Sequence, residues 1–202
     1  MESFIEYINE SVLHVYDIDD TLLHTNANIH IKDADGNFVK KLSNQEFNDH
    51  KLAPGHSYDF HEFRDANKFN TESEPIEKTL AQLKRIHQKI KLRLTPGSRI
   101  IMNTAREDFD DKDKFLDTFK KQGLDMDTIH VHRAGNNPGN DIPAVKKLIH
   151  IRAHLDGGDY KEVHMYDDSK TNLNHFKSLK KEYPKVRFHA WHVDGKGNIR
   201  HH

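Results

Sequence analysis

Short apolar runs that alternate with stretches of helical period leave this chain few folds. The runs lie at about 12–17, 99–104, 129–132, 163–166 and 186–191. Between them, Ile76, Leu80, Leu83 and Ile86 repeat with helical spacing, and so do Val145, Leu148, Ile149, Arg152 and Leu155. Helices are expected from Ser73 or Glu74, where Pro75 suits a first turn, and over about 110–122, 141–156 and 170–182. Strands alternating with helices read as an α/β chain with a mostly parallel sheet covered on both faces. In such sheets ligands sit beyond the carboxyl ends of the strands, where strand order reverses.

The first run, Val12 to Tyr16, ends in Asp17-Ile18-Asp19-Asp20-Thr21. Side chains at i and i+2 of a strand share a face, so Asp17 and Asp19 stand together. Two carboxylates at the end of a buried strand repel and call for a cation or a proton. Thr104-Ala105-Arg106 ends the second run, and Asp167-Asp168 ends the fourth. Lys146 and Lys147 lie near the start of a helix. These groups would meet at one crevice. Their oxygen chemistry, without thiolate, suits Mg²⁺. Carboxylates, a hydroxyl, a lysine and Mg²⁺ together suit phosphoryl transfer, with an aspartate as nucleophile.

Order and residue type resemble the haloacid dehalogenase (HAD) superfamily. Its Asp-x-Asp-x-Thr motif matches Asp17 to Thr21. Its strand-ending Ser/Thr matches Thr104, and its acidic pair matches Asp167-Asp168. Its lysine matches Lys146, which follows apolar Val145 as the motif lysine commonly does, with Lys147 the alternative on another helix face. The resemblance implies a Rossmann-like three-layer sandwich with a core sheet of about five strands. It implies an aspartyl-phosphate on Asp17, acid/base work by Asp19, and phosphoryl oxygens held by Thr104, Ala105, Arg106 and Lys146. Mg²⁺ would bind Asp17, the carbonyl of Asp19, Asp167 and Asp168. A carboxylate at Asp19 marks the family's phosphatases. Thr104-Ala105-Arg106 is also similar to the Ser-Gly-Arg of polynucleotide 3'-phosphatases. The substrate expectation is therefore a phosphorylated small molecule, a nucleotide or a nucleic-acid end.

Residues 12–202 read as one core domain, with an insertion at about 24–73 acting as a small cap or flap. Within it, Asp35-Gly36 between alternating residues predicts a hairpin. The stretch 43–73 reads as irregular, pinned to the body by Phe47, Tyr58, Phe60, Phe63 and Phe69. The insertion resembles that of HAD-like proteins from large tailed phages.

Residues 1–11 read as an amphipathic helix with Phe4, Ile5 and Ile8 on one face. Met1 to Glu10 is similar to capsid-targeting segments of such phages, trimmed after a hydrophobic–any–Glu sequence that Ile8-Asn9-Glu10 matches. That keeps a second expectation: a virion-packaged or binding protein on the same scaffold. The net charge of −1 argues against a broad nucleic-acid face. The absence of cysteine excludes disulfides and thiolate sites. With no apolar run near the ~20 residues of a membrane span and no secretory signal, the expected location is cytoplasmic, the host cytoplasm for a phage protein. No obligate protein partner is expected, and self-association is left open.

Overall fold

The computed structural model describes residues 11–43, 46–47, 50–139 and 141–202. The helix expected over residues 1–11 lies, but for Ser11, outside them. The chain builds an α/β fold on a six-stranded sheet. Its central strand is β1 (Val12–Tyr16), flanked on one side by β7 (Arg99–Thr104) and β8 (His130–Arg133). On the other side lie β9 (Glu162–Asp167), β10 (Arg187–Val193) and β11 (Ile199–His201). All pair in parallel except β11, which runs antiparallel to β10. The C-terminal tail supplies this sixth strand. Strand order reverses at β1, so the crevice opens at the ends of β1, β7 and β9.

Alternation along the strands divides the core into two layers. Tyr16, Ile100, Met102 and Tyr166 face helices α1 (Ala66–Glu72), α2 (Glu77–Lys91) and α3 (Lys112–Lys120). They meet Phe69, Leu80, Leu83, Phe115 and Phe119 there. Leu13, Val15, Ile101, Val163 and Met165 face the opposite way, onto α4 (Pro143–Gly157) and α5 (Lys170–Ser178). Ser169 caps α5, its hydroxyl accepting from the Asn172 amide, and Asp111 caps α3 through Lys114. Among the described residues, no helix is long and apolar enough to cross a membrane.

The insertion has more regular structure than its sequence suggests. Three antiparallel strands, β3 (Ile29–Lys32), β4 (Phe38–Leu42) and β5 (Ser57–Asp59), pair in the order β4-β3-β5. The expected hairpin turn is there: Asp33 accepts from the amides of Asp35 and Asn37, and Gly36 adopts φ +84°. A single-turn 3₁₀ helix (His61–Arg64) and α1 follow. Glu74 and Pro75, expected to open a helix, instead form a short strand, β6, against β2 (Leu23–His24). That ladder and the Ile76 N–H to Leu22 carbonyl bond clamp the two roots of the insertion together. The helix then starts at Glu77. Of the aromatics expected to pin this stretch to the body, Phe69 enters the main core beside Phe109 and Phe115. Phe47, Tyr58 and Phe63 instead pack on the insertion's own small core, with Phe47 edge-on to Tyr58 and Phe60.

Histidines gather between the edge strand β8 and α4. The ring of His132 stacks on His150, and its Nε2 lies 2.8 Å from Nε2 of His154. Burial, then His150, His154 and His130, lower the His132 pKa from 6.5 to about 4. A depressed folded pKa means this residue's stability contribution is complete above pH 6.5. It is lost as pH falls toward 4. The His132→Gln variant escapes that loss. Its stability relative to the parent, from urea unfolding at pH 7 and pH 5, is expected to shift in its favour by about 1 kcal/mol, solvent screening at the partly exposed ring reducing the full effect. A pH-independent difference would show that His132 takes up protons equally in both states.

Candidate active site

The loop leaving β1 is tight. Amides of Thr21, Leu22 and Leu23 all point at the Ile18 carbonyl, and Asp20 takes a left-handed conformation at φ +55°. This turn leaves Asp17 at the strand end and directs Asp19 toward β7. Thr21, fully buried, accepts from the Asp168 amide through its hydroxyl. The loops after β1 and β9 are thus joined directly.

Three of the expected carboxylates converge. Asp17, Asp167 and Asp168 each offer an oxygen within 4.8 Å of the others. Asp167 is fully buried and held by the Ser169 amide (2.9 Å) and by Asn172 Nδ2 (2.9 and 3.1 Å). The lysine that meets them is Lys147. Its ammonium donates to Asp17 at 2.7 Å and to Asp167 at 2.9 Å and is 1% exposed.

Lys146, the residue favoured by sequence, is therefore corrected to its neighbour. One residue turns a helix by about 100°. Pro143 starts α4 so that Ala144, Lys147, Leu148 and Ile151 face the sheet. Lys146 is only partly buried, and its carbonyl accepts from Asn137.

Asp19 stands apart from this cluster. Arg106 grips both its oxygens, with Nε at 3.0 Å from each and Nη2 at 2.6 Å from Oδ1. Thr25 donates to the same carboxylate at 2.7 Å and Thr104 at 3.3 Å. The Asp19 carboxylate is thus not among the metal-competent oxygens. Arg106, expected to face a phosphate, is 4% exposed. Its Nη1 donates to the Phe63 carbonyl at 2.9 Å, and its guanidinium lies over the rings of Phe63, Phe69 and Phe109. Ala105 is exposed at the bend between Thr104 and Arg106. Gly135 docks there: a Cβ on it would fall 2.7 Å from the Ala105 carbonyl oxygen and from the Arg106 carbonyl carbon.

The electrostatics separate the two halves of the site. Burial raises Asp17 well above the usual carboxylate range, and the charges of Asp167, Asp168 and Asp19 add to it against the pull of Lys147. Burial and Asp167 push Asp168 up to about 7. Burial alone would raise Asp19 as well, but the Arg106 guanidinium outweighs it and holds Asp19 below its ordinary value. For Lys147 burial opposes the charge, yet Asp167 and Asp17 keep it protonated. Ionised together, three carboxylates beside one ammonium would carry excess negative charge, which, on top of burial, holds Asp17 and Asp168 toward their protonated forms. An oxygen set of that kind fits a hard divalent cation such as Mg²⁺.

Sequence reading missed Thr21 as the link to Asp168, Asn172 as the holder of Asp167, and Thr25 on Asp19. Thr21 lay within the quoted motif, and Asn172 follows the acidic pair on the first turn of α5. For Thr25 the chain carries no comparable signal. The chain matches no protein-family model, no curated protein and no solved structure.

Proposed function

We propose that this protein is a Mg²⁺-dependent phosphomonoesterase of haloacid dehalogenase type, working through a phosphorylated Asp17. One observation carries the reading: Asp17 and Asp167, from the ends of two adjacent parallel strands, share the buried ammonium of Lys147 at 2.7 and 2.9 Å. A solvated turn or a helix cap has no use for a fully buried lysine there, whereas phosphoryl transfer needs opposed charges held in place.

Asp17, Asp167 and Asp168 would hold Mg²⁺, which when bound neutralises charge on the phosphoryl oxygens. An oxygen of Asp17 attacks phosphorus, forming the P–O bond of the aspartyl-phosphate while the ester P–O bond breaks. Lys147 screens the attacking carboxylate from the phosphoryl oxygens, and the Thr104 hydroxyl lies beside them. Asp19 gives the departing oxygen its proton. It later takes one from the water that attacks the same phosphorus, releasing phosphate and restoring Asp17. Arg106 favours ionised Asp19, which suits the second role. The first requires Asp19 to hold a proton, so Arg106 must ease its grip, and an arriving phosphate dianion is a competing partner for it.

For the substrate, the similarity of Thr104-Ala105-Arg106 to the Ser-Gly-Arg of polynucleotide 3'-phosphatases favours a nucleotide or a polynucleotide 3'-phosphate, with Arg106 reaching it only on release from Asp19. The test is turnover of p-nitrophenyl phosphate with and without Mg²⁺, then of nucleotides, sugar phosphates and 3'-phosphorylated oligonucleotides. Metal-dependent release of phosphate is expected. Its absence on every substrate would reject the enzyme, and preference for sugar phosphates would reject the nucleic-acid assignment alone.

A further inference from the structure

We propose that the insertion binds one borderline divalent cation of the zinc class through His30, His61 and Glu62. His30 comes from β3, and the other two from the 3₁₀ helix that follows β5. Each offers a ligand atom, and these atoms lie within 4.8 Å of one another. The two imidazoles stand edge to face, centroids 4.5 Å apart at 83°. Ligating atoms around a tetrahedral zinc, with bonds of about 2.0–2.1 Å, lie roughly 3.3 Å apart. His30 Nε2 and Glu62 Oε1, now 2.6 Å apart, open slightly to admit the ion.

The surroundings prepare these atoms for a metal. His61 Nδ1 faces Asp59 Oδ2 at 3.0 Å, the carboxylate–histidine arrangement that leaves Nε2 with a free lone pair. Asp59 is itself fixed by Lys32 and by the His61 amide. The Oε2 of Glu62 accepts from the Asn28 amide and side chain, which leaves Oε1 as the ligating oxygen. Two imidazoles and one carboxylate suit zinc and not magnesium. The location also benefits. Among the described residues the three-stranded sheet gathers a core of just Ile29, Ile31 and Leu42, and a metal would tie β3 to the segment beyond β5.

A second group, Glu162, His164 and His189, clusters as closely. There the Trp191 indole N–H, a donor only, points at His164 Nδ1 at 3.1 Å. The proton of that neutral ring therefore sits on Nε2, facing Glu162, and cannot move to the occupied Nδ1. His30 Nε2 also donates to its carboxylate, but a metal can displace that proton to the Nδ1 of His30.

Chelator-stripped full-length protein, titrated with Zn²⁺ in excess Mg²⁺ by calorimetry, is expected to bind one equivalent. His61 is exposed, so His61→Ala should fold normally by circular dichroism and bind at least tenfold more weakly. Asp59→Asn should lose about tenfold. Zn²⁺ should raise the melting temperature of the parent and, at the same concentration, raise that of His61→Ala less. Failure of the parent to bind, or equal binding by His30→Ala/His61→Ala, would overturn the site.

Discussion

Replacing Asp17 with asparagine is expected to move activity and stability in opposite directions. Mg²⁺-dependent turnover should fall by about 10³-fold or more, the scale on which loss of a covalent nucleophile acts. That is about 4 kcal/mol of transition-state stabilisation. Stability without Mg²⁺ should not fall with it. Ionised Asp17 is opposed by burial and by Asp167 and Asp168, so a neutral amide of the same shape relieves repulsion. It keeps an oxygen for the Lys147 ammonium. In urea unfolding the variant should therefore be at least as stable as the parent, while Mg²⁺ stabilises the parent more than the variant. A variant that loses activity by unfolding would place Asp17 among the supports of the fold and not among the reacting groups.

The second large effect separates adjacent lysines. Lys147→Ala removes the one ammonium that bridges Asp17 and Asp167, leaving two buried carboxylates facing each other. Breaking a buried pair on one side costs about 3–5 kcal/mol, and protonation of Asp17 should reduce this toward the lower figure. Activity should vanish with it. Lys146→Ala, on a partly solvated face of the same helix, should stay within about 0.5 kcal/mol of the parent and keep its turnover. Chemical denaturation and a phosphatase assay on the two variants decide the matter. Equal losses would mean that α4 is set in another register.

That pair of residues also marks how far the sequence could be read. Asp17, Asp167 and Thr104 were legible because each ends an apolar run, and a parallel sheet carries such ends to one edge. The hairpin at Asp35-Gly36 was legible because its turn chemistry is local. Lys147 was not, because choosing it over Lys146 requires the rotation of α4 about its axis to within a fraction of a turn. Helix α1 was hidden too: Ala66-Asn67-Lys68-Phe69-Asn70-Thr71-Glu72 has little helical pattern. It is held by the Asp65 cap, by Phe69 in the main core, and by Asn70 against α3. Strand β11 forms because β10 presents an open edge, a fact of topology and not of the last residues. The partner of Arg106 lies 87 positions away on another strand end, and nothing in a linear pattern selects it.

Arg106 turns two distant parts of the molecule into one balance. One side of its guanidinium holds the Asp19 carboxylate, and another holds the Phe63 carbonyl beneath the insertion. Displacing the insertion therefore alters the proton affinity of Asp19. By thermodynamic reciprocity, a displacement of the insertion that changes the proton affinity of Asp19 is itself favoured or opposed, by the same free energy, when Asp19 takes up a proton. The position of the insertion and the acidity of Asp19 are therefore tied through one guanidinium.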